Sequence, residues 1–329
     1  MCALTSGATA AEVTLELPQG WRATPATQPV RFSREDESIT IRFTVQPPPA
    51  DVLTAAAIRP GPQTAQMAQT PSYIVRAKVT SAGKVYAQGY QVVEYPHTTR
   101  RHVLADPQVN VKALDVRVRP NLTVGYVMGV GDEVPAALEQ LGVRLSFISP
   151  DELAWGDLGR YDVIVTGVRA YERRADLRAY NQRLLDYASA GGTVIVQYNK
   201  FEFNDAQYGP YPARVGRERV TDENAELRVL APNHPVFNAP NAIGRADWTG
   251  WVQERGLYFL DQDGRDPQYS DLLEFTDPFP NNQGVKRGAL VEAKVGKGRW
   301  LYVGLGLWRQ LPAGTDGAFR LMANLLSMQ

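Results

Sequence analysis

The sequence predicts two fold classes in series, an antiparallel β-sandwich followed by an α/β domain with a parallel sheet. Up to about residue 105, apolar and polar residues alternate, as they do in half-buried strands. From about residue 121, short apolar runs alternate with amphipathic helical stretches, which is typical of a parallel sheet with helices on both faces. The length of 329 residues suits two domains of ordinary size.

The first part, residues 1–105, is expected to hold a few antiparallel strands. EVTLEL, SITIRFTV, SYIVRAKV and KVYAQGYQVVEY alternate with a period of two, and turn signals such as PQGW and TSAG separate them. In SITIRFTV the side chains on one face are those of Ile39, Ile41, Phe43 and Val45. This is the pattern of a single β-sandwich.

The predicted sandwich is incomplete. Only four or five strands can be recognised, whereas a sandwich usually has about seven. We therefore expect that the chain begins inside a domain, with residues 1–10 a remnant of upstream sequence or a start-site artefact. A genuinely small sheet is the alternative. Residues 46–71, rich in Pro, Ala and Gln, predict a long loop that could hold a short helix at ADVLTAAA.

Residues 106–120 alternate Val and Leu with polar residues and predict a linker, either a strand or an extended segment. The α/β domain is assigned to residues 121–329. Its first helix is predicted at DEVPAALEQLG, with Asp132 and Glu133 at the positive end of the helix dipole and Gly142 just past its other end. RADLRAYNQRLLDYASAGG predicts one long amphipathic helix, and WTGWVQERGLYFL and LLEFTDPF predict strands or surface hairpins.

Composition and charge exclude several classes of function. The chain has 35 Lys and Arg residues against 35 Asp and Glu, so no basic field is available to attract nucleic acid or an anionic membrane surface. The single cysteine, Cys2, allows neither an internal disulfide nor a cysteine metal site. No apolar run approaches the ~20 residues of a membrane span. The first residues lack the features of a signal peptide, which leaves the localisation undetermined.

The polar turn QYNKFEF is the first candidate site, because it follows the fourth strand of the α/β domain. Ligands of open parallel sheets bind beyond the C-terminal ends of the strands, which is where Tyr198, Asn199, Lys200 and Glu202 are expected. Lys200 could serve as a nucleophile if it were desolvated. The alternative is a tight turn, packed by its aromatic residues, that only fixes the loop after it.

The segment RVTDENA is the second candidate, since it places Asp222 beside Glu223. Paired carboxylates can perform acid–base chemistry or hold a hard cation, but a surface turn is the preferred interpretation. The glycine-rich turn GVGDEVP is expected to cap a helix rather than to hold phosphate, because its two carboxylates would repel an anion. His234 in NHPVF is expected to be structural. Neither a metal nor a cofactor is predicted.

Three segments are dense in Trp, Tyr and Arg: YPARVGRERV, DWTGWVQERGLYF and GLWRQLPAGTDG. Such side chains build sugar-stacking platforms and protein interfaces, and they also build a rigid core under long loops. The sequence leaves these alternatives open.

Most of the chain, from about residue 12, resembles the C-terminal region of large bacterial PIG-L (LmbE-like) deacetylases. The resemblance rests on GYVMGVGDEVPAALEQLGV, YDVIVTGVRAYERRADL, GGTVIVQYNKFEF, DWTGWVQERGLYFL and VGKGRWLYVGLGLWRQLPAGTDGAFRL, with LPQGWRATP and GYQVVEYPH in the first part. In those proteins a zinc deacetylase domain precedes an immunoglobulin-like sandwich and a class I glutamine amidotransferase-like domain. The resemblance implies a partial immunoglobulin-like sandwich in residues 1–105 and a flavodoxin-like, ThuA-like sheet in residues 121–329.

The resemblance also implies that catalytic residues are missing. The HPDDE-type segment of the deacetylase has no counterpart here, so its zinc site cannot be carried onto any residue. Active amidotransferases hold a Cys at an elbow after a central strand and a downstream His. Alignment on GGTVIVQYN places Tyr198 or Asn199 at that elbow, and the nearest downstream histidine is His234.

The preferred hypothesis is therefore a non-catalytic accessory region that binds carbohydrate or holds a partner such as an N-terminal deacetylase domain. Full-length members of that family often look exported, to the periplasm or the exterior. One alternative is a glycan-active hydrolase that uses the QYNKFEF turn with Asp222 and Glu223. A purely structural domain is the other.

Overall fold

The computed structural model describes residues 7–34, 37–49 and 71–328. The chain divides into two compact units, Met1–Leu114 and Asp115–Gln329, and each is described by itself. The short helix predicted at ADVLTAAA lies outside the described residues.

The described part of the first unit consists of antiparallel strands. They are Thr9–Glu16 (β1), Arg22–Thr24 (β2), Thr27–Phe32 (β3), Thr44–Gln46 (β4), Ser72–Ser81 (β5), Lys84–Tyr86 (β6), Gly89–Val93 (β7), Arg101–Ala105 (β8) and Gln108–Lys112 (β9). The main sheet has the order β3-β1-β5-β6, and β9 also pairs with β5. Two separate ribbons are formed by β2 with β4 and by β7 with β8.

The alternating segment SITIRFTV differs from its prediction as one eight-residue strand. The strand there is restricted to β4, while Ile39, Ile41 and Phe43 pack onto a small core that contains Val13 and Phe32. Alternation reports which face of a segment is buried, and it does not require that the segment has a hydrogen-bonded neighbour. The predicted face is therefore right and the predicted strand is too long.

The second unit is a mixed α/β structure. Its strands are Thr123–Val127 (β10), Arg144–Phe147 (β11), Val163–Thr166 (β12), Thr193–Gln197 (β13), Arg219–Val220 (β14), Glu226–Val229 (β15), Gly256–Leu257 (β16), Tyr269–Asp271 (β17), Leu273–Thr276 (β18), Val285–Lys286 (β19), Leu290–Val295 (β20) and Gly298–Val303 (β21). Its α-helices are Val134–Gln140 (α1), Pro150–Trp155 (α2), Ala170–Arg173 (α3), Ala175–Ala179 (α4), Asn181–Ala190 (α5), Pro235–Asn238 (α6), Leu307–Gln310 (α7) and Asp316–Ser327 (α8). Short 3-10 helices lie at Leu158–Arg160, Phe201–Asn204 and Arg245–Trp248.

A seven-stranded sheet forms the centre of this unit, in the order β11-β10-β12-β13-β21-β20-β17. The strands from β11 to β21 are parallel, and β20 and β17 continue the sheet in antiparallel pairing. Counted along the chain, the five parallel strands stand in the order 2-1-3-4-5. Strands β12 and β13 are buried along their whole length, as expected of strands covered on both faces.

The long helix predicted at residues 174–192 is broken in two at Tyr180, between α4 and α5. The backbone of Tyr180 leaves the helical region, with φ −108° and ψ 17°. Asn181 holds the break, because its Nδ2 donates to the carbonyl of Tyr208 at 3.0 Å and its Oδ1 accepts from the Tyr171 hydroxyl at 2.7 Å. Leu177 remains buried as predicted.

The strand predicted in WTGWVQERGLYFL shrinks to β16, and most of that segment is loop that packs Trp251 and Arg255 inside. Across the described ranges, no helix is both long and apolar enough to cross a membrane.

Candidate functional site

The C-terminal ends of β10, β12, β13 and β21 meet at one edge of the central sheet, and two neighbouring cavities lie there, which we call the two halves of one cleft. The first half has a volume of ≈ 350 Å³, and its lining includes Asp132, Arg169, Tyr198 and Trp308. The second half, also ≈ 350 Å³, is lined by Phe201, Arg217, Arg219, Leu257 and Tyr258. Leu257 borders both halves. This is the edge at which open parallel sheets build their ligand sites.

Four aromatic side chains run through the cleft, and we call them the aromatic ribbon: Trp308, Tyr198, Tyr258 and Phe201. Trp308 stacks on Tyr198 with ring centroids 4.7 Å apart and planes 22° apart. Tyr258 stands 5.5 Å from Tyr198 and 5.4 Å from Phe201, the latter contact being edge-to-face. The stacked and edge-to-face contacts are favourable for aromatic pairs, and the four rings pack in a continuous row in which Tyr198 is buried between its neighbours.

Arginines stand at both ends of the ribbon. The guanidinium of Arg309 lies 5.7 Å from the Trp308 ring, and that of Arg217 lies 5.5 Å from the Phe201 ring. The buried carboxylate of Glu254 accepts from Arg309 Nε at 3.1 Å and from Arg219 at 2.9 Å. One carboxylate thus fixes one arginine from each half of the cleft.

Tyr198 lines the first half and is largely buried. Burial raises the pKa of its phenol to about 12, even though nearby Arg169 acts in the opposite direction. The hydroxyl is therefore protonated at neutral pH, which makes it a hydrogen-bonding group rather than a nucleophile.

Asn199 does not face the cleft, because its side chain is 1% exposed and both ends of its amide are used inside the unit. Oδ1 accepts from the backbone N–H of Tyr171 at 3.2 Å, and Nδ2 donates to the carbonyl of Gln197 at 2.8 Å. The N–H of Tyr171 belongs to the first turn of α3, where helix donors have no intrahelical acceptor. Asn199 therefore caps α3 from the turn that follows β13.

Lys200 and Glu202 are half-buried. Glu202 is the second residue of the 3-10 helix Phe201–Asn204, and its Oε2 is buried without a hydrogen-bond partner among the described residues. The negative charge of Glu202 acts on Arg169, whose pKa is raised chiefly by the hydrogen bonds of Glu172. Glu202 thus lies close to the first half of the cleft.

Asp222 and Glu223 stand apart from the other candidates. Neither lines either half of the cleft, and both exert their charge on the buried Arg255 instead. Asp222 accepts from the N–H of Asn224 at 2.7 Å, which is the local bond of a turn. The structure therefore does not assemble these two carboxylates with the QYNKFEF turn.

The loops after β10 and β12 close against each other. Asp132 accepts from the Tyr126 hydroxyl at 2.6 Å and from the N–H groups of Val134 and Val168, both at 3.1 Å. Val130 donates its N–H to the carbonyl of Val168 at 3.1 Å. These N–H groups are already bonded, which agrees with the predicted capping turn and leaves little for a phosphate.

Backbone strain is concentrated around the cleft and was not visible in the sequence. Arg169, Gln253 and Tyr258 have φ of 54°, 68° and 52°, and they account for three of the five described non-glycine residues with positive φ. Such conformations persist where surrounding structure enforces them, and they cluster at binding sites. The N–H of Arg169 donates to the carbonyl of Tyr198 at 2.8 Å, which ties this strained residue to the ribbon.

The assembly of the aromatic ribbon was not predicted from the sequence, although the segments that supply Trp308 and Tyr258 were recognised as rich in aromatic residues. Their convergence on Tyr198 depends on strand order, which residue spacing does not reveal. His234 lies elsewhere, where its Nδ1 caps α6 and its Nε2 contacts Glu292 at 2.9 Å. Within residues 7–34, 37–49 and 71–328, no group of three or more His, Cys, Asp or Glu residues could hold a metal.

No protein-family model and no curated protein matches the chain. Among solved structures, a cold-adapted β-galactosidase from Rahnella sp. R3 is 15% identical with a TM-score of 0.38, over 63% of this chain and 31% of its own. A cytoplasmic protein from Salmonella typhimurium LT2 is 11% identical with a TM-score of 0.39, over 73% and 94%. An exo-β-1,4-mannosidase from Opitutaceae bacterium strain TAV5 is 11% identical with a TM-score of 0.36, over 62% and 35%.

The chain thus spans 31% and 35% of the length of these two glycosidases. Likenesses at these TM-scores carry no conclusion about fold or function.

Proposed function

We propose that this chain is a non-catalytic accessory region of a PIG-L-type deacetylase-like protein, and that it binds carbohydrate in the cleft of its second unit. In this proposal the second unit is a flavodoxin-like, ThuA-like domain of the amidotransferase kind, and the first is a partial immunoglobulin-like sandwich. The aromatic ribbon is the observation that carries the proposal. The strand order 2-1-3-4-5 supports the flavodoxin-like assignment.

The ribbon suits a sugar because it combines an apolar surface with fixed polar groups. The rings of Trp308 and Tyr258 can pack against the C–H face of a pyranose, and Phe201, 41% exposed, extends that surface into the second half. Arg309 and Arg219, both held by Glu254, can donate to hydroxyl groups. Because these donors are already oriented, little side-chain entropy is lost on binding.

The non-catalytic part of the proposal rests on the residues at the expected elbow. The Asn199 amide is committed to Tyr171 and Gln197, and the Tyr198 phenol is kept protonated by burial. Neither group is suited to attack a substrate. His234 is engaged with Glu292 and α6, so it is not available as a base for either.

A glycan-active hydrolase is the second candidate, and one observation favours it. Glu202 places a carboxylate oxygen in a buried position with no hydrogen-bond donor among the described residues. A carboxylate close to a sugar-binding cleft is the type of side chain that glycoside hydrolases use. Asp222 and Glu223 do not support this candidate, because they act on Arg255 away from the cleft.

The test is binding of the purified chain to a glycan array, followed by calorimetry with the best oligosaccharide. We expect Trp308→Ala to weaken binding about fivefold to thirtyfold, since losing an aromatic platform removes about 1–2 kcal/mol. Trp155→Ala is the matched control, because Trp155 is 80% exposed and lies in α2, outside the lining of both halves. It should bind as the wild type does.

Three results would count against the proposal in different ways. Equal binding by both tryptophan variants would place the sugar elsewhere. Turnover of an N-acetyl sugar or of any glycan, lost in Glu202→Gln, would favour the hydrolase. An array with no bound glycan would favour a purely structural domain.

A further inference from the structure

A second cavity in the Asp115–Gln329 unit shares no lining residue with the cleft. Its volume is ≈ 710 Å³, and its walls include Glu226, Ile243, Arg245, Trp248 and Arg255. Strand β15 and the 3-10 helix Arg245–Trp248 supply most of these residues. The wall is mixed, with an indole and aliphatic side chains beside two guanidinium groups and the exposed carboxylate of Glu226.

Arg255 is the unusual feature of this wall, because it is a buried cation with few partners. It is 4% exposed, and its guanidinium lies 5.4 Å from the Trp251 ring. One terminal nitrogen donates to the carbonyl of Trp248, and the other makes a long contact of 3.4 Å to the carbonyl of Ala225. Its Nε is buried and has no hydrogen-bond partner among the described residues.

In the described part of the chain no carboxylate forms a salt bridge with Arg255. Asp222 and Glu223 act on it only through their charge, and burial lowers its pKa to about 10. The group is therefore still cationic at neutral pH, yet most of its five N–H donors lack a strong acceptor. A buried charge in this condition is costly, and an anion that supplied acceptor oxygens would remove much of that cost.

The charged side chains around Arg255 limit which anions the cavity can bind. Arg245 is exposed at the cavity wall and adds a second cation. Asp222 and Glu223 act on Arg255 through their negative charge, and Glu226 adds a carboxylate to the cavity wall, so together they disfavour a multiply charged ligand. A planar carboxylate matches a guanidinium with two parallel hydrogen bonds and carries a single charge.

We propose that this cavity binds a ring-bearing monocarboxylate, with Arg255 taking the carboxylate, Arg245 adding charge at the wall and Trp248 contacting the ring. The ring can come from a sugar acid or from an aromatic acid, since both present the same carboxylate. Asp222 and Glu223 then have a defined effect, which is to weaken the site and keep it selective for singly charged ligands.

The experiment is a titration of the full chain followed by NMR of the arginine Nε–H groups. D-glucuronate and benzoate are the two carboxylate probes, and methyl β-D-glucopyranoside and benzyl alcohol are their neutral counterparts. We expect one strongly shifted, slowly exchanging Nε–H signal, that of the buried Arg255, to move saturably at millimolar concentrations with a carboxylate and not with its neutral counterpart. The probe that binds more tightly identifies the sugar-acid or the aromatic-acid source.

Two substitutions at surface positions test the proposed site without creating a cavity in the core. Arg245→Gln should weaken carboxylate binding about threefold or more, and Asp222→Asn should strengthen it by a similar factor, because each changes one charge near the site. Arg228→Gln is the matched control, because it also removes one positive charge. The Arg228 side chain, in β15, is 67% exposed, pairs with Glu274 and does not line the cavity, so carboxylate binding should be unchanged.

The proposal is overturned if no carboxylate moves the signal, or if the neutral compounds move it equally. It is also overturned if Asp222→Asn weakens binding, or if Arg228→Gln weakens it as much as Arg245→Gln does. Each of these readouts is independent of glycan binding in the cleft, which Trp308→Ala reports.

Discussion

Asn199→Ala distinguishes a helix cap from a ligand-binding residue at the elbow after β13. The substitution removes the acceptor of the Tyr171 N–H and the donor to the Gln197 carbonyl. Both bonds are buried, so water cannot replace them without rearrangement. The unit should therefore lose stability, while the surface of the cleft is left in place.

The magnitude follows from the two bonds. An ordinary amide–carbonyl bond contributes about 1 kcal/mol, and a buried donor left without a partner costs about 1–3 kcal/mol, which together give about 2–4 kcal/mol. For a unit of this size each kcal/mol lowers the Tm by about 2–4 °C, so we expect a fall of about 5–15 °C. Lys200→Ala is the control. Lys200 is half-buried, and its neighbour Asn199 carries the cap, so the change should stay within about 0.5 kcal/mol.

The assay pairs calorimetric unfolding with binding of the oligosaccharide identified on the array. We expect Asn199→Ala to unfold at a lower temperature and, below that temperature, to bind with nearly unchanged affinity. Asn199→Asp keeps the acceptor for Tyr171 but turns a carboxylate oxygen toward the Gln197 carbonyl, so it should also be destabilised. The reasoning is refuted if Asn199→Ala unfolds like the wild type and has lost its affinity, since the amide would then contact the ligand.

Three further predictions concern the loops and the ribbon. Asp132→Asn should cost about 1–3 kcal/mol in denaturant unfolding, because Asn has one acceptor oxygen where Asp132 uses two, and its NH₂ group cannot accept a hydrogen bond; Glu133→Gln, its exposed neighbour, should cost almost nothing. Gly129→Ala should prevent native packing or cost several kcal/mol, because a Cβ there would lie 1.9 Å from the Val168 carbonyl oxygen; soluble yield and melting temperature check this. Burial raises the pKa of Tyr198 to about 12, above the value of about 10 in the unfolded chain, so this residue adds stability below pH 10 that is lost as the pH rises from about 10 to 12. Tyr198→Phe should therefore show a shallower decline in stability over that range, and an unchanged decline would contradict the assignment.

Much of the fold could be predicted because buried positions recur in the sequence as a regular pattern of apolar residues. The doubly buried strands β12 and β13 appear in the sequence as unbroken apolar runs, and the switch from period two to strand–helix alternation marks the change of fold class. The break at Tyr180 could not be predicted in this way. It is held by Asn181 through bonds to Tyr171 and Tyr208, which are distant in sequence, so local helix propensity gave the wrong answer there.

The candidate site was only partly accessible to the same reasoning. The rule that ligands bind beyond the C-terminal ends of parallel strands pointed to Tyr198, which does line the cleft. It pointed equally to Asn199, because a polar residue after a strand looks the same whether its side chain turns outward or inward. The burial of Asn199 is decided by the nearby first turn of α3, whose free N–H groups need an acceptor.

The closed contact between the loops after β10 and β12 bears on the kind of ligand the cleft can hold. In open α/β sheets these loops commonly part to form a crevice lined by backbone N–H groups, which suits phosphates. Here Gly129 allows the first loop to approach Val168 so closely that no side chain would fit, and the N–H groups of Val130 and Val168 are bonded across the contact. The open part of the edge is displaced toward β13 and β21, where Trp308 and other side chains, rather than backbone donors, form the surface. A ligand in this first half meets the Trp308 ring and two arginines, Arg169 and Arg309, that already pair with Glu172 and Glu254. This favours a neutral, hydroxyl-bearing molecule over a phosphate. If the cleft binds an oligosaccharide as proposed, inorganic phosphate should fail to compete with it.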